Sequence, residues 1–368
     1  MNLDFLQQKL NDRIEKGNIR SLKTDGGLLD FVSNDYLSLA RNAQLSQRIH
    51  NRCLEEPVPN GGTGSRLLSG NHRWYEEAEE LLQSVFRAES VLLFNSGYAA
   101  NQALVSSVAD KGDTILYDQL SHVCLKEGAW LSRAETVAFR HNDLDDLEQR
   151  MQRVTGRCFV LTETIFSMDG DVAPLHELVQ LCEKHGAYLI VDEAHSTGCY
   201  GEQGAGMLME EGVAESIFAR VYTFGKGMGV HGACVAGSRT LIDYLVNFGR
   251  PFIYTTSLPP HSVIAITESF RYLAEYQQLQ GQLLKKIELF RTHWPKAMSH
   301  TAIQPVMIGS NEQARVISSQ LQESGYDVRP ILSPTVKSGT ERLRISLHVH
   351  NSDEEIKTLA EMLKQLMS

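Results

Sequence analysis

The sequence predicts an α/β fold: a mainly parallel seven-stranded sheet with helices on both faces, then a smaller α+β C-terminal domain. Three observations carry this. Short apolar, strand-like runs alternate with helix-period stretches between about residues 74 and 248, the signature of βαβ units. The character changes after Tyr254-Thr-Thr-Ser-Leu-Pro-Pro260, where a long helical stretch begins. No repeat, low-complexity tract or like-charge block suggests a solenoid, coiled coil or disordered tail.

Taken in order, Leu3, Leu6, Leu10 and Ile14 fall at helical spacing, predicting an amphipathic helix. A turn at positions 25–27 and a short strand follow. Seven strand-like runs come next: Ser90–Phe94, Thr114–Tyr117, Thr136–Phe139, Cys158–Thr162, Tyr188–Val191, Val221–Phe224 and Ala233–Gly237. Helical periodicity marks Trp74–Phe86, Gly97–Val108, Leu175–His185 and Leu241–Phe248 between them. A helix from His261 to Phe290, with a break expected near Gly281, leads to strands at Ile303–Ile308 and Leu343–Leu347. A last helix is expected over Asp353–Leu366.

The 368 residues are roughly two to three domains' worth of chain at about 150 residues each and can bury a large core. Thirty-five basic against forty-five acidic residues leave a net charge of −10, which offers no field to draw a nucleic-acid backbone. No apolar run nears the ~20 residues that span a bilayer, and the N-terminus lacks signal-peptide form. The six cysteines show no C-x-x-C pair, so they read as reduced thiols rather than a zinc site or disulfide framework. The expectation is a soluble cytoplasmic protein that binds neither nucleic acid nor membrane, with no metal.

In an open α/β sheet, ligands bind at the carboxyl ends of the strands, so the polar residues after each run carry the functional reading. Phe94-Asn-Ser-Gly97-Tyr98 breaks a strand into a helix at a glycine; its free amides suit an anion, or make only a turn. Asp192-Glu-Ala-His195 leaves a strand with a carboxylate and an imidazole, more than a helix cap requires. D-E-A-H also occurs in helicases, but no G-x-x-x-x-G-K-[ST] loop accompanies it. Lys226 stands between glycines after a strand, where desolvation lowers an amine's pKa and makes it a nucleophile able to form a Schiff base; a solvated loop lysine is the plain alternative. The G-x-G-x-x-G at Gly227–Gly232 precedes a strand rather than a helix, so it is a chance match. His122 and Ser167 follow two further runs. Together these groups suit pyridoxal 5′-phosphate, which needs a lysine, an acid for its ring nitrogen and an anion site.

From about Phe31 to His348 the sequence resembles the α-oxoamine synthases, fold-type I pyridoxal-phosphate transferases of the aminotransferase class I/II fold. They condense an amino acid with an acyl thioester and release CO2. The matching stretches include Ser33-Asn-Asp-Tyr-Leu37, Gly62-Thr-Gly-Ser-Arg66, Phe94–Asn101, Leu120-Ser-His122, Phe166-Ser-Met-Asp-Gly170, Asp192–Gly198, Thr223-Phe-Gly-Lys226, Tyr254–Pro260, Pro334-Thr-Val336 and Arg342-Leu-Arg344. Position 38, where the family often carries glycine, is serine, and Tyr75 stands where many members have histidine.

The resemblance implies Lys226 as the Schiff-base lysine, Asp192 as partner of the ring nitrogen and His122 stacked on the ring. It implies His195 and Ser167 on the phenolic side, Gly97, Tyr98 and Thr223 at the phosphate, and Thr256 reaching the cofactor of a neighbouring subunit. That last role implies a homodimer with shared sites. Asn34 and Arg344 would hold the amino-acid carboxylate, where a guanidinium fork suits bidentate binding. Thr335 would lie at the substrate, and Arg20, Arg329 and Arg342 are candidates for a carboxylate on the acyl chain. The acyl carrier would be coenzyme A or an acyl carrier protein. The implied division is 1–45 as an N-terminal arm and helix packing with the small domain, 46–255 as the large cofactor-binding domain and 256–368 as the small C-terminal domain.

Overall fold

The computed structural model describes residues 1–367 except positions 23, 25 and 56, so part of the turn expected at 25–27 lies outside the described residues. Twelve strands among those residues form three sheets. In chain order they are β1 (Leu29–Asp30), β2 (Ser90–Phe94), β3 (Thr114–Asp118), β4 (Glu135–Phe139), β5 (Cys158–Glu163), β6 (Tyr188–Asp192), β7 (Ala219–Thr223), β8 (Ala233–Gly237), β9 (Ile303–Met307), β10 (Tyr326–Asp327), β11 (Arg329–Ile331) and β12 (Arg342–Ser346). The large sheet has the order β2-β8-β7-β6-β5-β3-β4. β8 pairs antiparallel with both neighbours and the other pairs are parallel, so six strands share one direction.

All residues of β2 and β5 are buried, as expected for a parallel sheet covered on both faces. Alternation along each strand then assigns faces. Leu92 and Phe94 of β2, Leu161 of β5, Ile190 of β6 and Val221 of β7 pack in one core with the helices Gly97–Val108 and Val123–Leu131. Val91, Leu93, Val160, Val191 and Tyr222 face the opposite core. Two residues on from Leu161, Ile190 and Val221 stand Glu163, Asp192 and Thr223, on the first of these faces, at the carboxyl ends of their strands. That parity gathers the polar groups at one place.

β9, β11 and β12 form an antiparallel three-stranded sheet, and β1 pairs in parallel with β10. The N-terminal helix spans Asp4–Glu15 and buries none of its residues; the chain joins the smaller sheets from Leu29 onward. The long helix divides at Tyr276–Gln277, giving Pro260–Glu275 and Gln278–His293, and not near Gly281. Tyr276 stacks on Tyr272, and its hydroxyl accepts from Gln44 at 2.7 Å. A Cβ at Gly281 would meet nothing within 4 Å among the described residues outside its own helix, and the glycine continues the helix at a cost of about 1 kcal/mol relative to alanine.

Candidate active site

A cavity of about 290 Å³ opens at the carboxyl ends of the parallel strands. Its lining includes Asn34, Gly97, Tyr98, His122, Asp192, His195, Thr223 and Lys226. Four strand ends, those of β2, β3, β6 and β7, and the irregular Ser33–Leu37 stretch deliver these groups, which explains why residues so far apart in sequence meet.

Lys226 lies on the loop after β7, with Nζ 2.9 Å from Nε2 of His195. Burial pulls this amine below the ordinary lysine range, against the attraction of Asp192 and Glu163. His195 is buried, and desolvation followed by the Lys226 charge holds its imidazole neutral. Its Nδ1 meets the Tyr36 hydroxyl at 2.7 Å. Asp192 is tied at both oxygens: Oδ1 accepts from the amide of Ala194 at 2.7 Å and Oδ2 from Asn101 Nδ2 at 2.6 Å. Next to it, burial and the Asp192 charge push the Glu163 carboxyl up to about 8. Glu163 Oε1 accepts from the amide of His122 at 2.5 Å. Desolvation also lowers the His122 pKa, leaving a neutral, flat ring at the cavity wall.

At the other end stands the N-terminus of the helix Gly97–Val108. The Ser96 hydroxyl accepts from the Ala99 amide at 3.2 Å, and the amides of Gly97 and Tyr98 take no partner among the described residues. A Cβ at Gly97 would meet Cγ2 of Thr223 at 2.3 Å. The glycine thus lets the helix start close against β7 and leaves an anion cradle open.

These groups fit pyridoxal phosphate on chemistry alone: an amine of lowered basicity, a fixed carboxylate, a neutral ring and paired amides at a helix start. Fold and site define a fold-type I pyridoxal-phosphate enzyme. The family model for aminotransferase class I and II matches residues 27–363, and the chain belongs to that family. An 8-amino-7-oxononanoate synthase of Marinobacter nauticus is 38% identical over 358 residues, covering 95% of this chain and 90% of that one. Among solved structures, Sphingomonas wittichii serine palmitoyltransferase superposes with a TM-score of 0.90 at 29% identity, covering 100% of this chain and 98% of that one. An 8-amino-7-oxononanoate synthase from Francisella tularensis gives 0.80 at 26% identity, covering 93% and 98%. Within the family the chain is an α-oxoamine synthase.

The remaining sequence-derived residues divide. Arg344 reaches the site beside the lining: Nη2 donates to Asn34 Oδ1 at 3.0 Å, Nε to the Ser167 carbonyl at 2.6 Å and Nη1 to Ser346 Oγ at 2.9 Å. Ser167 therefore presents its carbonyl to Arg344. The Thr256 carbonyl accepts from Asn95 at 2.8 Å, outside the cavity lining. Arg20 and Thr335 are exposed and also outside it. Arg329 is paired with Asp327, and Arg342 with Asp169. Sequence reasoning passed over Asn101, Glu163, Tyr36 and His231. Asn101 had one available signal, its place one turn after Gly97 on the same helix.

Proposed function

We propose that this chain catalyses the decarboxylative condensation of L-alanine with a pimeloyl thioester, giving 8-amino-7-oxononanoate, CO2 and the free thiol carrier. This is a step of biotin synthesis. The meeting of Lys226, Asp192 and the open helix start in one cavity carries the reading. The 38% identity to a relative bearing that activity in its name supports the substrate pair.

Lys226 Nζ would hold the cofactor's aldehyde carbon and would then move the α-proton of the amino acid, a task favoured by the lowering of its basicity on burial. Asp192 would hold a proton on the ring nitrogen, and its two fixed hydrogen bonds keep it aimed. His122 would cover the ring, His195 and Ser167 would serve its phenolic side, and Gly97, Tyr98 and Thr223 would hold the phosphate. When bound, the cofactor withdraws electrons from the carbon that loses first a proton and later CO2. Asn34 and Arg344 orient the alanine carboxylate. Arg329 and Arg342 already neutralise acids, so of the three arginines Arg20 is our choice for the pimeloyl carboxylate, with Thr335 near the same substrate.

The residues divide at 45 and 255 into arm, large domain and small domain. Two chains form a dimer with shared sites, Thr256 reaching the partner's phosphate. In support, Tyr254, Trp130, Leu131, Leu120 and Val123 are exposed apolar residues on the segments that flank the cavity. Six free thiols, five of them buried, fit a reducing cytoplasm, and no helix among the described residues is long and apolar enough to cross a membrane.

The rival is another α-oxoamine synthase, such as a serine palmitoyltransferase, an autoinducer-type synthase or 2-amino-3-ketobutyrate ligase; the first is favoured by the TM-score of 0.90. Alanine, serine and glycine should be assayed by mass spectrometry against pimeloyl, palmitoyl and acetyl thioesters, each on coenzyme A and acyl carrier protein. Product from alanine and the pimeloyl thioester is expected at the highest kcat/KM. A clear preference for serine with the palmitoyl thioester would overturn the proposal.

A further inference from the structure

Tyr36 is buried against His195, on the side away from Lys226, in the Ser33–Leu37 stretch that no strand or helix claims. Its hydroxyl lies 2.7 Å from His195 Nδ1 and 3.0 Å from Asn34 Oδ1. Arg344 Nη2 reaches that same Asn34 oxygen at 3.0 Å. A guanidinium only donates, so it fixes the amide with Oδ1 facing both partners. Tyr36 thus has one proton and two acceptors in reach. Burial pushes the phenol up to about 12, so it keeps that proton at any working pH.

The proton's position follows what faces His195 Nε2. While a charged Lys226 donates to Nε2, Nδ1 must carry the ring proton and donate to Tyr36, whose own proton goes to Asn34. When Nε2 must donate instead, as to a phenolic oxygen beside Lys226, Nδ1 becomes an acceptor and takes the Tyr36 proton. Asn34 Oδ1 is then left to Arg344.

We propose that Tyr36 is a positioning residue whose single hydroxyl proton sets the tautomer of His195, and so couples the state of the Lys226 amine to the carboxylate-binding pair Asn34 and Arg344. The inference rests on the pyridoxal-phosphate reading of the site. The charged and titratable groups around the chain are Arg344 and Cys199 at Tyr36, Lys226, Arg344 and His122 at His195, and Asp192, Glu163, Arg344 and Cys124 at Lys226. None of them can replace a neutral hydroxyl between the two acceptors.

The test is the pH midpoint of the bound cofactor's absorbance, read on wild type, Tyr36→Phe and Asn34→Ala without substrate. Tyr36→Phe leaves Nδ1 without a donor and weakens Nε2–H toward the phenolic oxygen. The proton shared with the Lys226 nitrogen is then held more tightly, and the midpoint rises by about one pH unit. Asn34→Ala removes the competing acceptor, commits the Tyr36 proton to His195 and lowers the midpoint. Opposite shifts are the expected result, and a merely structural role would not give them. If Tyr36→Phe fails to fold, the fall in Asn34→Ala alone decides. Unchanged midpoints, or shifts of one sign, overturn the coupling while leaving the cofactor reading intact. Wild-type protein that takes up no pyridoxal phosphate overturns both.

Discussion

Asn101 Nδ2 donates to Asp192 Oδ2 at 2.6 Å, from the first turns of a helix to the end of a strand. The same amide nitrogen lies 3.4 Å from Cys124 Sγ. Asn101 is fully buried, and its Oδ1 has no hydrogen-bond partner among the described residues. A buried carboxylate is held in one orientation only where such donors fix its oxygens.

Removing this donor should therefore loosen the acid without removing it. Asn101→Ala is expected to lower kcat by roughly 10- to 100-fold, the usual scale for a group that orients a site residue. Asn101→Asp, which sets a third carboxylate against Asp192, should do worse. Steady-state kinetics with the holoprotein content measured alongside checks this; equal rates for Asn101→Ala and wild type would sink it.

Gly97 offers a steric test of the phosphate cradle. Its missing Cβ leaves room for Cγ2 of Thr223, 2.3 Å from where a Cβ would stand. Gly97→Ala must push the helix start off β7, a strain of about 1–3 kcal/mol. Pyridoxal phosphate affinity is expected to fall about tenfold or more by spectroscopic titration. Thr223→Ser deletes the clashing methyl and keeps the hydroxyl, so the double variant should recover part of the loss. No recovery would place the damage elsewhere.

Ser38 stands where glycine is common in the family, with φ at 60°. Its Oγ compensates: it meets His350 Nδ1 at 2.8 Å and accepts from the His350 amide at 3.0 Å. Ser38→Ala keeps the left-handed strain and loses both bonds, so it should cost about 1–2 kcal/mol. Ser38→Gly loses the bonds but also the strain and should be close to neutral. Denaturant melts of the two variants give the comparison, and an alanine variant as stable as glycine would contradict it.

The large sheet was legible because its strands are short, fully apolar and separated by helices; Ser90–Phe94 and Ala233–Gly237 match to the residue. Lys226, Asp192 and His195 were legible because each directly follows such a run. Asn101 was not, because its partner lies 91 residues away and an asparagine on an apolar helix has no periodic signature. β1 and β10 are two residues long, too short for alternation to register. Arg342 and Arg344 look alike in sequence, yet Arg342 is spent on Asp169 while Arg344 turns to Asn34. Only tertiary contacts separate them.

His141 links the large sheet to the loop after β5, and it should give stability a basic limb. Its Nδ1 lies 2.9 Å from Asp118 and its Nε2 2.6 Å from Asp171. Burial opposes its charge, but the two carboxylates outweigh that and carry its pKa up to about 10. A folded-state pKa above the unfolded value near 6.5 means the charged ring stabilises fully below that pH. The contribution then declines as pH rises toward 10. Wild type should exceed His141→Gln in Tm by most at pH 6, with the gap closing steadily through pH 7 to 10. A gap that stays constant over that range would mean that the ring acts by packing on Phe166, 4.4 Å away, and not by its charge.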